Sequence, residues 1–274
     1  MKKTLILLLL FFSIPSLLAQ KSVESKIYIC LNSGYNFKAG SDSNNFENEV
    51  RNNAGTDDVS SQAVSFGQGL GFGLSVGYNF NKKIGVELGV NYTKGNEFKT
   101  GDTDLNVYFE GSVFNSKMIQ FKPTLNLSGG FDKINPYAKF GFILGIGSVT
   151  ELKSEETNVD DKILTTFLYN GSLSKGFTAS LGSTFEIANN LFVFGEINYN
   201  YLVFSPDFGT VTESSINGSD NLQTLTIYDK SIEYKETVLF SEAALSNTNV
   251  KAQGLKKFYN FSSLALNLGI RYGF

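Results

Sequence analysis

The sequence predicts an all-β chain folded as an eight-stranded antiparallel transmembrane β-barrel, and three observations carry that prediction. Eight segments alternate large apolar residues with small or polar ones, the period of a strand whose two faces meet different surroundings. The connections between them run long, short, long, short, long, short, long, as in a barrel with tight turns at one rim and extended loops at the other. The alternate face is rich in glycine and carries charges. That lining suits a narrow polar lumen and not the greasy cavity of a soluble ligand-binding barrel.

Composition agrees. The chain has 42 % hydrophobic residues and a mean hydropathy of −0.07, values a membrane barrel shares with soluble proteins because only alternate residues face lipid. Twenty-seven glycines, 25 Phe and 13 Tyr against 4 prolines favour many closely paired strands over a helical bundle.

Residues 1–19 read as a secretory signal peptide, leaving 20–274 as the barrel domain. Lys2 and Lys3 form its charged start, Leu5 to Phe12 its apolar run, and Leu17-Leu18-Ala19 a cleavage site. Pro15 and Ser16 cut the run short of the ~20 residues that span a bilayer. Loss of the two lysines takes the formal charge from −3 to −5, which argues against nucleic acid as a partner. One cysteine, Cys30, excludes an internal disulfide.

The first strand is expected over 27–37, with Ile27, Ile29, Leu31, Tyr35 and Phe37 on one face and Tyr28, Cys30, Asn32, Gly34 and Asn36 on the other. The second, 67–80, alternates without a break from Leu70 to Phe80, and a turn at Asn81-Lys82-Lys83 leads into the third, 84–93. The fourth, 118–128, includes Pro123, which lacks a ladder donor and predicts a bulge. A turn over 129–133 precedes the fifth, 134–147. The sixth and seventh, 177–187 and 191–204, flank the turn Ala188-Asn189-Asn190, and the eighth closes the chain over 258–274. Four long polar loops fall at about 38–66, 95–115, 150–175 and 205–256. Alternation within 222–239 (Leu225, Ile227; Ile232, Tyr234) leaves one rival, a ten-stranded barrel using a hairpin there.

Segments such as Gly71-Phe-Gly-Leu-Ser-Val-Gly-Tyr-Asn-Phe80, Pro136-Tyr-Ala-Lys-Phe-Gly141 and Leu268-Gly-Ile-Arg-Tyr-Gly-Phe274 resemble the small outer-membrane beta-barrel domain family, the eight-stranded barrels of Gram-negative bacteria. The resemblance covers the leader and all strands but not the long loops. It implies a place in the outer membrane, among its lipids, with both termini periplasmic. It also implies that the aromatic end, Tyr272 and Phe274, is a signal to the barrel-assembly machinery.

Function is less legible. Enzymes on small barrels of this kind resemble one another in using histidine as base or orienting group. This chain has no histidine, so it is expected not to be an enzyme, with no cofactor and no metal site. Gly69-Leu-Gly-Phe-Gly lies within an alternating strand and opens no helix, so it is no phosphate loop. Asp102-Thr-Asp104-Leu-Asn106 begins like a calcium loop, but Val107 and Val113 replace the required glycine and glutamate.

The constellation that stands out is a set of inward charges, Glu87, Glu186 and Glu196 against Lys122, Lys139 and Arg271. In so narrow a barrel they must pair or be hydrated. Two roles are open. One is a polar plug in a structural or surface-interaction protein whose outer loops meet an unidentified surface ligand. The other is a porin-like narrow channel or small-ligand conduit, for which the inward glycines would leave room for water.

Overall fold

The computed structural model describes residues 26–39, 45–51, 57–103, 109–131, 133–156, 161–238 and 248–274. The predicted leader lies outside them, as does the middle of the candidate calcium loop. The strands in chain order are β1 (Ile27–Lys38), β2 (Asn45–Arg51), β3 (Asp57–Ala63), β4 (Gly69–Asn79), β5 (Ile84–Gly95), β6 (Phe98–Thr103), β7 (Phe109–Ser128), β8 (Ile134–Glu156) and β9 (Lys162–Asn170). There follow β10 (Leu173–Ala188), β11 (Leu191–Phe204), β12 (Phe208–Ile216), β13 (Ser219–Asp220), one helical turn α1 (Ile227–Lys230), β14 (Ser231–Lys235), β15 (Ala252–Leu255), β16 (Tyr259–Asn260) and β17 (Ser263–Gly273).

Eight of these close a ring, each antiparallel to the next: β1, β4, β5, β7, β8, β10, β11, β17 and back to β1. The closing pair runs in continuous register from Tyr28↔Gly273 to Lys38↔Ser263, so the ring has no free edge. All eight predicted strands are present.

Which face is inside follows from exposure. Leu268, Phe142 and Leu181 are 74 %, 71 % and 66 % exposed, and Leu31, Phe72, Leu88 and Ile146 point the same way. A continuous apolar belt of this extent is incompatible with a water-facing surface and is what lipid requires.

Three tight turns close one end of the barrel. In the β4–β5 turn Asn81 Oδ1 accepts from the Lys83 and Ile84 N–H groups at 2.8 and 2.9 Å, an Asx turn. In the β7–β8 turn Asn135 Oδ1 accepts from Gly130 N–H at 3.0 Å, with Gly130 at φ 81°, a conformation that costs glycine little. In the β10–β11 turn Asn190 takes φ 64°, which asparagine tolerates.

The other end departs from the sequence expectation. Much of what reads as polar loop is strand. β7 and β8 run 20 and 23 residues, far beyond the ~10 that cross a bilayer when tilted. β6 adds to the projecting part of β7, β9 to that of β8, and β12 to β9. In sequence these segments mix polar and apolar residues at both alternating sets of positions, so no single-sided period marks them. The 222–239 segment forms a 3₁₀ turn, α1 and β14. β14 pairs with β12 and, in parallel, with β15, outside the ring; the barrel has eight strands, not ten.

Pro123 makes no bulge. Its Cα faces Leu88 of β5 in unbroken register, and the β7–β8 register is the same before and after it. The missing donor interrupts that ladder only at Lys122 and Pro123, because the flanking pairs hold the two strands in step.

Candidate functional site: the lumen

The lumen is organised by two matching rows across adjacent strands. Tyr28 of β1 faces Gly77 of β4, which faces Glu87 of β5. On the opposite wall Tyr137 of β8 faces Gly182 of β10, which faces Glu196 of β11. In each row the tyrosine reaches over the glycine and its hydroxyl donates to the glutamate, at 2.9 Å for Tyr28 to Glu87 and 3.0 Å for Tyr137 to Glu196. The glycines are required for this. A Cβ on Gly77 would lie 2.0 Å from Tyr28 Cζ, and one on Gly182 would lie 2.6 Å from Tyr137 Cζ. Inward glycine, read from sequence as room for water, is at these two positions room for a ring.

Lys139 joins the rows. Its ammonium lies 2.9 Å from Glu87 Oε1 and 3.0 Å from Glu196 Oε2, and all three side chains are about nine-tenths buried. Asn126 Nδ2 donates to the Tyr28 hydroxyl at 3.3 Å. Charges so far from water persist only when paired and hydrogen-bonded, and this layer meets both conditions.

Of the six charges singled out in the sequence, the structure gathers three. Lys122 instead donates to Asn200 Oδ1 at 3.0 Å, within an amide and hydroxyl network that includes Asn198, Thr178 and Ser180. Arg271 stacks on the turn-end face of the layer, its guanidinium carbon 3.4 Å from the Tyr28 ring centre. Glu186 is exposed at the turn-end rim. All six share the inward parity, but their heights along the barrel axis differ.

Gly77→Ala should therefore push the Tyr28 ring aside and break its bond to Glu87. We expect a loss of about 1–3 kcal/mol from the overpacking and a lower urea midpoint in lipid vesicles. Gly195→Ala is the control, because a Cβ there would meet only Leu268 Cδ2 at 3.7 Å.

Towards the long-strand end the lumen turns apolar. Met118, Ile143, Leu202 and Phe204 face inward and are buried with Phe66, Phe114, Tyr259 and Phe261. Phe66 and Phe261 enter from the connections before β4 and β17. These two segments are clasped together. Phe66 N–H donates to Asn260 O at 2.8 Å and Ser65 Oγ donates to Ser262 O at 2.6 Å, while Phe261 N–H ties the second segment to the β11 wall through Leu202 O at 2.8 Å. The aromatic rings of Phe66 and Phe261 stack 5.9 Å apart. The sequence points to a polar, largely plugged lumen; the filling is polar in the middle and apolar at one end.

Above this cluster Tyr169 donates to Glu151 Oε2 at 2.7 Å and Ser112 to Oε1 at 2.6 Å, while Lys257 lies over the Tyr169 and Tyr234 rings at 5.0 and 5.7 Å. Burial, with the nearby Glu151 carboxylate, pushes the Tyr234 hydroxyl up to about 12, so it stays neutral at ordinary pH.

Two cavities flank the charged layer. A small one, about 40 Å³ and lined by Glu87, Lys122, Lys139 and Glu196 among others, has room for a few waters. A larger one, about 290 Å³, opens at the turn end. Among the described residues no group of three or more metal-ligating side chains converges.

An apolar belt outside and a closed antiparallel ring define an integral membrane β-barrel. The chain belongs to the outer membrane protein beta-barrel domain family, whose model matches residues 4–227. Among solved structures it is similar to Neisserial surface protein A, at 14 % identity and a TM-score of 0.39 over 92 % of this chain and 100 % of that one. It is also similar to CarO2 of Acinetobacter baumannii, at 13 % identity and a TM-score of 0.31 over 90 % and 99 % of the two chains. No curated protein matches the chain in sequence. The protein is thus an outer-membrane β-barrel.

Proposed function

We propose that this barrel is a non-catalytic envelope protein with a closed lumen, whose projecting strands and loops carry a structural or surface-interaction role. Its termini and tight turns face the periplasm, and the projecting end meets an unidentified ligand outside the cell. The observation that carries this reading is the pair of barriers in series: the Tyr28–Glu87–Lys139–Glu196–Tyr137 layer and the aromatic cluster around Phe66 and Phe261. A path for ions needs continuous water or carbonyl lining, and buried rings at one end interrupt it. Tyr272 and Phe274 fit a barrel-assembly signal, since both are exposed on the lipid side with ring centres 5.0 Å apart.

The test is single-channel recording from refolded protein in a planar bilayer, with folding checked by heat-shifted gel mobility. A silent bilayer is expected. Steady discrete openings would replace this reading with a porin-like passive channel, filtered by the charges around the small central cavity.

A further inference from the structure

The turn-end cavity is lined by a guanidinium that has no ion-pair partner among the described residues. It belongs to Arg271 and makes no hydrogen bond among them either. Its Nε is buried and without an acceptor. The Tyr28 ring lies beneath it, 3.4 Å from the guanidinium carbon to the ring centre, a contact that uses none of its donors. Of the inward carboxylates, Glu87 is taken by Lys139 and Tyr28 and Glu196 by Lys139 and Tyr137, while Glu186 is exposed on the rim. Guanidinium presents five N–H donors and no acceptor, so this end of the lumen has a donor surplus.

The turns add to that surplus. Asn81 and Asn135 line the same cavity, and their amide oxygens are engaged by turn backbone. That leaves their NH₂ groups, which donate only. Phe131 and Phe192 supply apolar wall, and Glu186 lies on the rim. At about 290 Å³ the cavity is at the small end of the range for ligand sites.

We propose that the cavity is a binding site for a small solute bearing an oxyanion, a carboxylate or a phosphate, with Arg271 as the anchoring fork and Asn135 and Asn81 as flanking donors. An arginine fork matches either group bidentately, and its stacking on Tyr28 presets the geometry before the ligand arrives. The site is separate from the surface role proposed above and stands whether or not the lumen conducts.

The chain has two arginines, Arg51 and Arg271, so protein labelled with ¹⁵N-arginine gives two side-chain Nε signals. Arg271→Lys assigns them; should that variant fail to fold, Arg51→Lys does the same. Inorganic phosphate and benzoate are each titrated into the folded barrel in neutral micelles, with chloride at matched ionic strength as control. We expect the Arg271 signal to shift and saturate with at least one of the two at millimolar concentration or below, while Arg51 stays put. Whichever probe saturates identifies phosphate or organic carboxylate as the ligand class. Asn135→Asp keeps the turn acceptor but sets a negative charge beside the fork, and should weaken the saturating probe about tenfold or more. No saturable Arg271 shift with either probe up to about 20 mM, well above a millimolar Kd, would overturn the proposal. So would a shift shared by Arg51 and chloride.

Discussion

Lys139→Met should unfold at a markedly lower urea concentration than the native barrel, with a loss of about 3–5 kcal/mol, the cost of stranding a buried charge. The lysine is the only cation within ion-pair distance of Glu87 and Glu196 among the described residues. Without it two carboxylates face one narrow lumen, each left with a single tyrosine donor. Methionine fills much of the lysine's volume, so the loss reports charge more than packing. Glu87→Gln is milder, because Lys139 keeps Glu196. The triple variant Glu87→Gln, Lys139→Met, Glu196→Gln should recover most of the loss, since neutral groups carry far less desolvation cost. Urea unfolding in lipid vesicles checks the series. A native midpoint for Lys139→Met would show that the layer is hydrated and does not hold the two walls together.

How much of this was legible beforehand depends on what sets each feature. The eight strands were, because lipid outside and a crowded lumen inside impose a strict two-residue period on segments such as Leu70 to Phe80. Parity also put Glu87, Lys139 and Glu196 inside. It could not say that these three meet while Glu186 and Lys122 do not. Height in a barrel depends on the stagger between strands, and no local pattern encodes that. The tyrosine–glycine–glutamate rows were hidden for the same reason, since Tyr28, Gly77 and Glu87 become neighbours only once the register is known. The apolar cluster was missed for another reason. Phe66 sits in an aperiodic connection, and Phe261 lies where the last strand was expected to run straight through; the strand proper begins at Ser263. The inward apolar run Met118, Ile143, Leu202 was the available clue, for a wet lumen would not bury them.

Phe261→Ala separates the two barriers. The ring is fully buried, stacked on Phe66 and edge-on to Phe204 with centres 5.9 Å from each. Its removal should cost about 3–5 kcal/mol and leave a dry cavity, because the wall there is aromatic and aliphatic. The backbone clasp from Phe261 N–H to Leu202 O is untouched, so the barrel should still fold and show its gel-mobility shift. In a planar bilayer this variant should stay silent, since the Glu87–Lys139–Glu196 layer still fills the lumen. Adding Lys139→Met to it removes the bridge across the layer as well, and only then should water and ions pass. Discrete openings from Phe261→Ala alone would mean that the charged layer is permeable and that the aromatic cluster is the only barrier. The three buried charges would then be the filter of a channel held shut from one end, and the loop segments that carry Phe66 and Phe261 would be its gate.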